Sequence, residues 1–196
     1  MEVVAQADGT TLFVDYDNLY QLTLPQDWLA IPLTEEDMQA ALDSAAQTNP
    51  EYATLAESFK GLDSSIFRLI ALDTNQEVKS SSKPTFLMIY CVDDPLASSM
   101  PMAAVTAMIE DNVLTDATII SWDARTNSNG VEVGINDASQ YMTMPSGDNV
   151  NVRVKIISFQ ANQRLILVHI LTPIEYGDQV LPPMESIIET IKVTGK

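Results

Sequence analysis

Hydrophobic positions along the chain switch between a period of two and a period of three to four, and the switches divide it into elements. Residues 11–16 and 19–25 alternate apolar and polar side chains around Asp17-Asn18, the pattern of a β-hairpin. Pro25 ends the second strand, and 26–28 read as a turn whose Trp28 folds back onto the sheet as a core anchor. The period then lengthens. Thr34-Glu35-Glu36-Asp37 forms a capping box, with Thr34 as N-cap and acids in the first turn where the helix dipole favours them. Met38, Ala41, Leu42 and Ala45 continue it as a helix to about Gln47. Asn49-Pro50 opens a second helix, with Tyr52, Leu55 and Phe59 on one stripe and Gly61 as its stop. Strands return at 65–73 and 85–92, an antiparallel pair joined by the exposed polar loop 74–83. Pro101 starts a helix that puts Val105, Met108, Ile109 and Val113 on one face. A meander of four strands follows at 118–125, 131–144, 151–161 and 163–172, with turns at 127–130, 145–147 and 161–162. The last helix spans 177–190, with Val180, Leu181, Met184, Ile187, Ile188 and Ile191 on its apolar side.

This order of elements is α+β. The meander has an apolar face that must be covered, and the helices are the elements available to cover it. The expected architecture is therefore an α/β/α sandwich, a central antiparallel sheet flanked by helices. Residues 1–11 read as an N-terminal extension to a single domain over 12–196. With 46% hydrophobic residues in 196, that domain has material for one core.

Charge narrows the partners. Ten Lys and Arg against 27 Asp and Glu leave a formal charge of −17, which excludes a protein that binds by displacing counterions from phosphates, so nucleic acid and anionic lipid are poor partners. The charge is also uneven. Residues 1–59 contain no Lys or Arg and 11 acids, so most of the field comes from the first third. Those carboxylates read either as a solubilising face or as an acidic docking face for a basic protein, with Glu35, Glu36, Asp37 and Asp43 as its candidate residues.

Candidate chemistry is sparse. The one histidine, His169, alternates onto the same face as Leu165, Leu167 and Leu171, the setting of a packing residue rather than a general base. Cys91 is the one cysteine; inside the apolar run 86–92, with no His or Lys beside it in sequence, it reads as a structural thiol. Two Cys and His residues in all are too few for a zinc site, and no glycine-rich phosphate loop is present. Asp15-Tyr16-Asp17-Asn18 and Asp93-Asp94 lack the spacing of an EF-hand, so calcium stays open only as a weak surface ligand, and no cofactor is expected. Small-molecule binding remains a second reading, in a pocket between sheet and helix lined by Trp28, Trp122 or Tyr141. No apolar run reaches the ~18 to 20 residues of a membrane span. The acidic start, Met1 to Asp8, has neither the basic nor the apolar region of a signal peptide.

Several strings resemble the PsbP-like superfamily. Tyr20-Gln21-Leu22-Thr23-Leu24-Pro25-Gln26-Asp27-Trp28 is similar to its opening strand, Pro, two residues and Trp. The helix from Pro101, the Asn129-Gly130 turn, the meander and Leu171-Thr172-Pro173 before a last helix fit its pattern over about 12–193. The resemblance implies a helix-flanked antiparallel sheet, no catalytic apparatus and a role in binding or assembly. Pro25, Trp28 and Gly130 match scaffold positions, so it transfers no site residue. The chain lacks the basic lysines of the plant extrinsic proteins and is nearer the exported bacterial branch. The expectation is accordingly a secreted or lipid-anchored protein outside the cytoplasm whose leader is absent from this chain.

Overall fold

A computed structural model describes residues 1–33, 63, 65–75, 85–143 and 149–195. Within them the strands form two antiparallel sheets. The smaller has the order β1 (Glu2–Ala5), β2 (Thr11–Asp15), β3 (Tyr20–Leu24), β11 (Lys192–Val193). The larger runs β4 (Trp28–Pro32), β5 (Phe67–Asp73), β6 (Phe86–Val92), β10 (Arg164–Pro173), β9 (Asn149–Ala161), β8 (Glu132–Thr143), β7 (Thr118–Thr126). The predicted helices at 34–47 and 49–61 lie outside the described residues, as does most of the 74–83 loop.

The predicted hairpin is β2–β3, with Tyr20, Leu22 and Leu24 buried and the residues between them half-buried. Its loop is longer than the Asp17-Asn18 turn: Asp15 pairs with Tyr20, and Leu19 sits in the left-handed region at φ 56°. The Asp15 carboxylate organises this loop by accepting the Asp17 and Asn18 backbone N–H groups at 3.1 and 3.3 Å. Two strands escape the alternation. β1 lies within 1–11 and pairs with β2 from Glu2–Val14 to Ala5–Thr11. Trp28 does not end a turn but begins β4, in register with Asp73 of β5. Pro25 still breaks the chain, and Asp27 turns it at φ 65°, a conformation that Asp tolerates better than most side chains.

Each face of the large sheet carries its own hydrophobic cluster, because alternate residues of one strand point oppositely. On β10, Ile166, Val168 and Ile170 join one cluster and Leu165, Leu167 and Leu171 the other. The first cluster is closed by Phe13, Tyr20 and Leu22 of the small sheet and by helix α2 (Gly177–Thr190), through Val180, Leu181, Met184, Ile187 and Ile188. The second is met by helix α1 (Met102–Asn112), through Met102, Val105 and Ile109. The close approach of α1 depends on Gly134 of β8. A Cβ there would lie 2.5 Å from Ser158 Oγ and 2.8 Å from Thr106 Cγ2, so only glycine fits beneath the helix.

Polar bonds then fix α2. Asn127, in the predicted 127–130 turn, donates from Nδ2 to the carbonyls of Ile188 and Ile191 at 2.8 and 2.9 Å, capping the end of the helix. Below its middle, buried Lys155 of β9 is paired with Glu185 of α2 and lies 3.7 Å from Asp137 of β8. Arg153 holds Asp137 from its other side, at 2.7 Å. No helix among the described residues is long and apolar enough to cross a membrane.

Candidate functional site: an acceptor-rich cleft beside the last helix

The Pro25–Asp27 corner does more than redirect the chain. It forms one wall of a cleft of about 420 Å³ whose floor is the start of β4 and the end of β5, and whose far wall is α2. Trp28 lines it too, with only 8% of the residue exposed. Gln26, Asp27, Asp73 and Asn75 bring polar groups from the corner and from the strand end. Gln179, Val180, Pro183 and Ser186 line the helix side.

Local bonding keeps these groups in place. The Thr74 N–H and hydroxyl both donate to the Asp27 carbonyl, at 2.7 and 2.8 Å, tying the corner to the end of β5. The Asn75 N–H donates to Asp73 Oδ1 at 2.7 Å. The Gln26 side-chain amide donates to the Asp8 carbonyl of the β1–β2 turn, bracing the rim. On the helix side, Pro182 and Pro183 have no N–H, so they remove the i+4 donors that would serve the carbonyls of Asp178 and Gln179. Among the described residues the lining brings together two carboxylates and the side-chain amides of Gln26, Asn75 and Gln179, and holds no Lys, Arg, His or Cys.

Asp73 is 5% exposed. Burial pushes its carboxyl above the usual carboxylate range, the Asn75 N–H pulls it back in part, and the nearby charge of Asp27 pushes it up again. A cation placed beside Asp73 would offset both the burial and the Asp27 charge that disfavour its ionisation.

The other candidate residues fall elsewhere. Glu35, Glu36, Asp37 and Asp43 lie outside the described residues. Trp28 lines the cleft, but Trp122 and Tyr141 do not, and they stand on opposite faces of the large sheet. Trp122 pairs with Asn136, whose amide reaches the Thr106 carbonyl of α1, whereas Tyr141 lies an odd number of residues along the same strand. Both are exposed, at 57% and 77%. His169 packs its ring against Tyr90, centroids 6.3 Å apart, with Nε2 enclosed and without a partner; burial lowers its pKa to about 4. Cys91 is buried, and burial pushes its thiol up to about 12, far from a reactive thiolate.

The two acidic clusters are already occupied by protein. Asp15 is fully buried and accepts Arg68 Nε at 2.8 Å, Arg68 Nη2 at 3.0 Å and Asn18 Nδ2 at 2.7 Å. Burial alone would raise the Asp15 carboxyl, but Arg68 and Asn18 outweigh it and hold the group below its ordinary value. Asp17 takes another bond from the same guanidinium, so Arg68 fills the place a cation would take. Asp94 Oδ1 accepts the Leu96 and Ala97 N–H groups at the start of a short 3-10 turn, Ala97–Ser99, and Asp93 lies 3.8 Å from Arg164. Among the described residues no group of three or more His, Cys, Asp or Glu is placed to hold a metal.

No family model and no curated protein matches the sequence. Solved structures do match. Cyanobacterial PsbP (CyanoP) from Synechocystis sp. PCC 6803 aligns with a TM-score of 0.56 and 14% identity, over 96% of this chain and 94% of its own. The chain has the PsbP-like fold. LpqN of Mycobacterium tuberculosis, involved in cell envelope biogenesis, aligns at 0.49 with 11% identity, over 99% of this chain and 90% of its own. The Ran-binding protein Mog1p of Saccharomyces cerevisiae aligns at 0.49 with 11% identity, over 96% and 97%. At such identities a PsbP-like fold is a shared scaffold, and the chemistry must be argued from this chain's own cleft. Sequence reading picked out Trp28 but missed Asp27 and Asp73, which are 46 positions apart and meet only because β4 pairs with β5. The Pro182-Pro183 pair inside a helical pattern was the one local signal of an unusual helix wall.

Proposed function

We propose that the chain is a non-enzymatic binding or assembly protein of an extracytoplasmic compartment, secreted or lipid-anchored, and that a basic group of its protein partner enters the cleft beside α2. The observation that carries this reading is the cleft's inventory: two carboxylates and several side-chain amides, with no cationic side chain among the described residues of the lining. A Lys or Arg side chain meets that inventory with donors and a positive charge, and the Trp28 ring gives its apolar stem a surface. The net charge of −17 supports the choice by steering basic partners toward the molecule. The compartment rests on the resemblance of the sequence strings to exported proteins. The helix-flanked sandwich is part of the same reading, supported by α1 against one apolar face and α2 against the other.

Calorimetric titration with tetralysine tests it, with the fully Nε-acetylated peptide as the uncharged control. Tetralysine binds, the acetylated peptide does not, and added salt weakens binding. Asp73→Asn lowers affinity at least about tenfold, the loss of one charge-assisted contact. Because the Asp73 carboxyl is held above the ordinary range, affinity also falls on acidification earlier than an exposed carboxylate would dictate. If affinity instead follows Glu35→Gln/Glu36→Gln/Asp37→Asn/Asp43→Asn and ignores Asp73→Asn, the recognition face is the 35–43 segment. A cleft of this volume also suits a small ligand, for which a few hundred Å³ is typical. A stability increase with a small amine or with calcium, but none with tetralysine, supports that second reading.

A further inference from the structure

Among the described residues β7 closes one side of the large sheet: β8 is its only sheet neighbour there, and eight of its nine residues are exposed. Such an edge is a row of unmatched backbone donors and acceptors, open to another strand. Ile120 and Trp122, 48% and 57% exposed, add apolar area that the other described residues leave uncovered. We propose that β7 pairs antiparallel with β7 of a second copy, about a twofold axis through Ala124.

Charge decides the register. The ladder with β8 shifts between Ile119 and Ser121, so β7 alternates regularly only from Ser121 to Thr126. Two copies of one strand joined by a twofold perpendicular to the sheet pair residues of the same face, which requires the axis to pass through a residue. An axis through Asp123 sets two aspartates opposite each other, and one through Arg125 does the same with two arginines. An axis through Trp122 reaches the irregular step almost at once. Only the axis through Ala124 places Asp123 opposite Arg125 of the second copy, twice, with the smallest side chain of the strand at the centre and Trp122 opposite Thr126. Within one chain Asp123 and Arg125 already lie 3.2 Å apart, both about half exposed, so the same two side chains can exchange partners without reorganising the sheet. Opposed unlike charges in a ladder are stabilising and opposed like charges are not, and a tryptophan covered at a joint is a typical anchor.

Sedimentation equilibrium at tens of micromolar tests this. The wild type is a dimer. Arg125→Asp, which brings four carboxylates together at the joint, weakens dimerisation at least about tenfold. Asp123→Arg/Arg125→Asp restores the crossed pairs in reversed order and returns affinity to within about threefold of wild type. These side chains are exposed, and unchanged thermal midpoints identify the variants as folded. A monomeric wild type overturns the proposal. So does a dimer that is insensitive to Arg125→Asp, or one that the double variant fails to restore.

Discussion

Asp15 is the clearest case of one residue whose role depends wholly on another. A carboxylate with no exposed surface is tolerable because Arg68 and Asn18 satisfy it, and the bonds join the small sheet to β5 of the large one. Arg68→Met strands that charge and destabilises the fold by about 3–5 kcal/mol in urea unfolding, and adding Asp15→Asn recovers part of the loss. His169 ties stability to pH through burial alone. Its folded pKa of about 4 lies below the value of ~6.5 expected when unfolded. Between those limits the unfolded chain binds more protons, so stability is full above about 6.5 and declines as pH falls toward 4, by up to about 3 kcal/mol. His169→Phe flattens that part of the pH–stability curve; an unchanged slope would show that other groups carry it. Sequence alternation was enough to put His169 among strand leucines. It was silent on Arg68, because the partner of a buried charge lies 53 residues away and follows no local period.

At the element scale the strands differ in how legible they were. β3, β6, β9 and β10 each have one dominant apolar pattern and were read within a residue or two of their bounds. β1 and β4 are short edge strands, their burial broken by exposed or half-buried positions, so their patterns are weak. β4 in particular is defined by its pairing with β5, a long-range fact. The cleft inherits that limit, since it exists only where the Pro25–Asp27 corner, the end of β5 and α2 converge. The seating of α1 is testable at one atom. Gly134→Ala forces its new methyl against Ser158 and Thr106, and the helix lifts or the strand shifts at a loss of about 1–3 kcal/mol, seen as a lower thermal midpoint. Gly130 is a control of another kind: no atom lies within 4 Å of a Cβ there, so Gly130→Ala tests only the strain of φ 78° in the turn that caps α2.

Across the whole molecule, acidity has more than one use. Asp15 and Asp17 serve the fold through Arg68, Asp94 starts a turn, and Asp137 and Glu185 neutralise the buried Lys155. Asp27 and Asp73 are different in sharing a cleft with an aromatic ring and a proline-interrupted helix wall. On the proposed reading, that grouping turns part of a diffuse charge of −17 into a place for a basic group. The most direct test is a map of amide and indole N–H shifts in the ¹⁵N-labelled chain titrated with tetralysine, beside the Asp73→Asn variant. The largest shifts are expected at the Trp28 indole, Asn75 and Gln179, saturating together and lost in the variant. Shifts spread over the acidic surface without saturation, or unchanged by Asp73→Asn, would contradict the assignment of the cleft as the binding site.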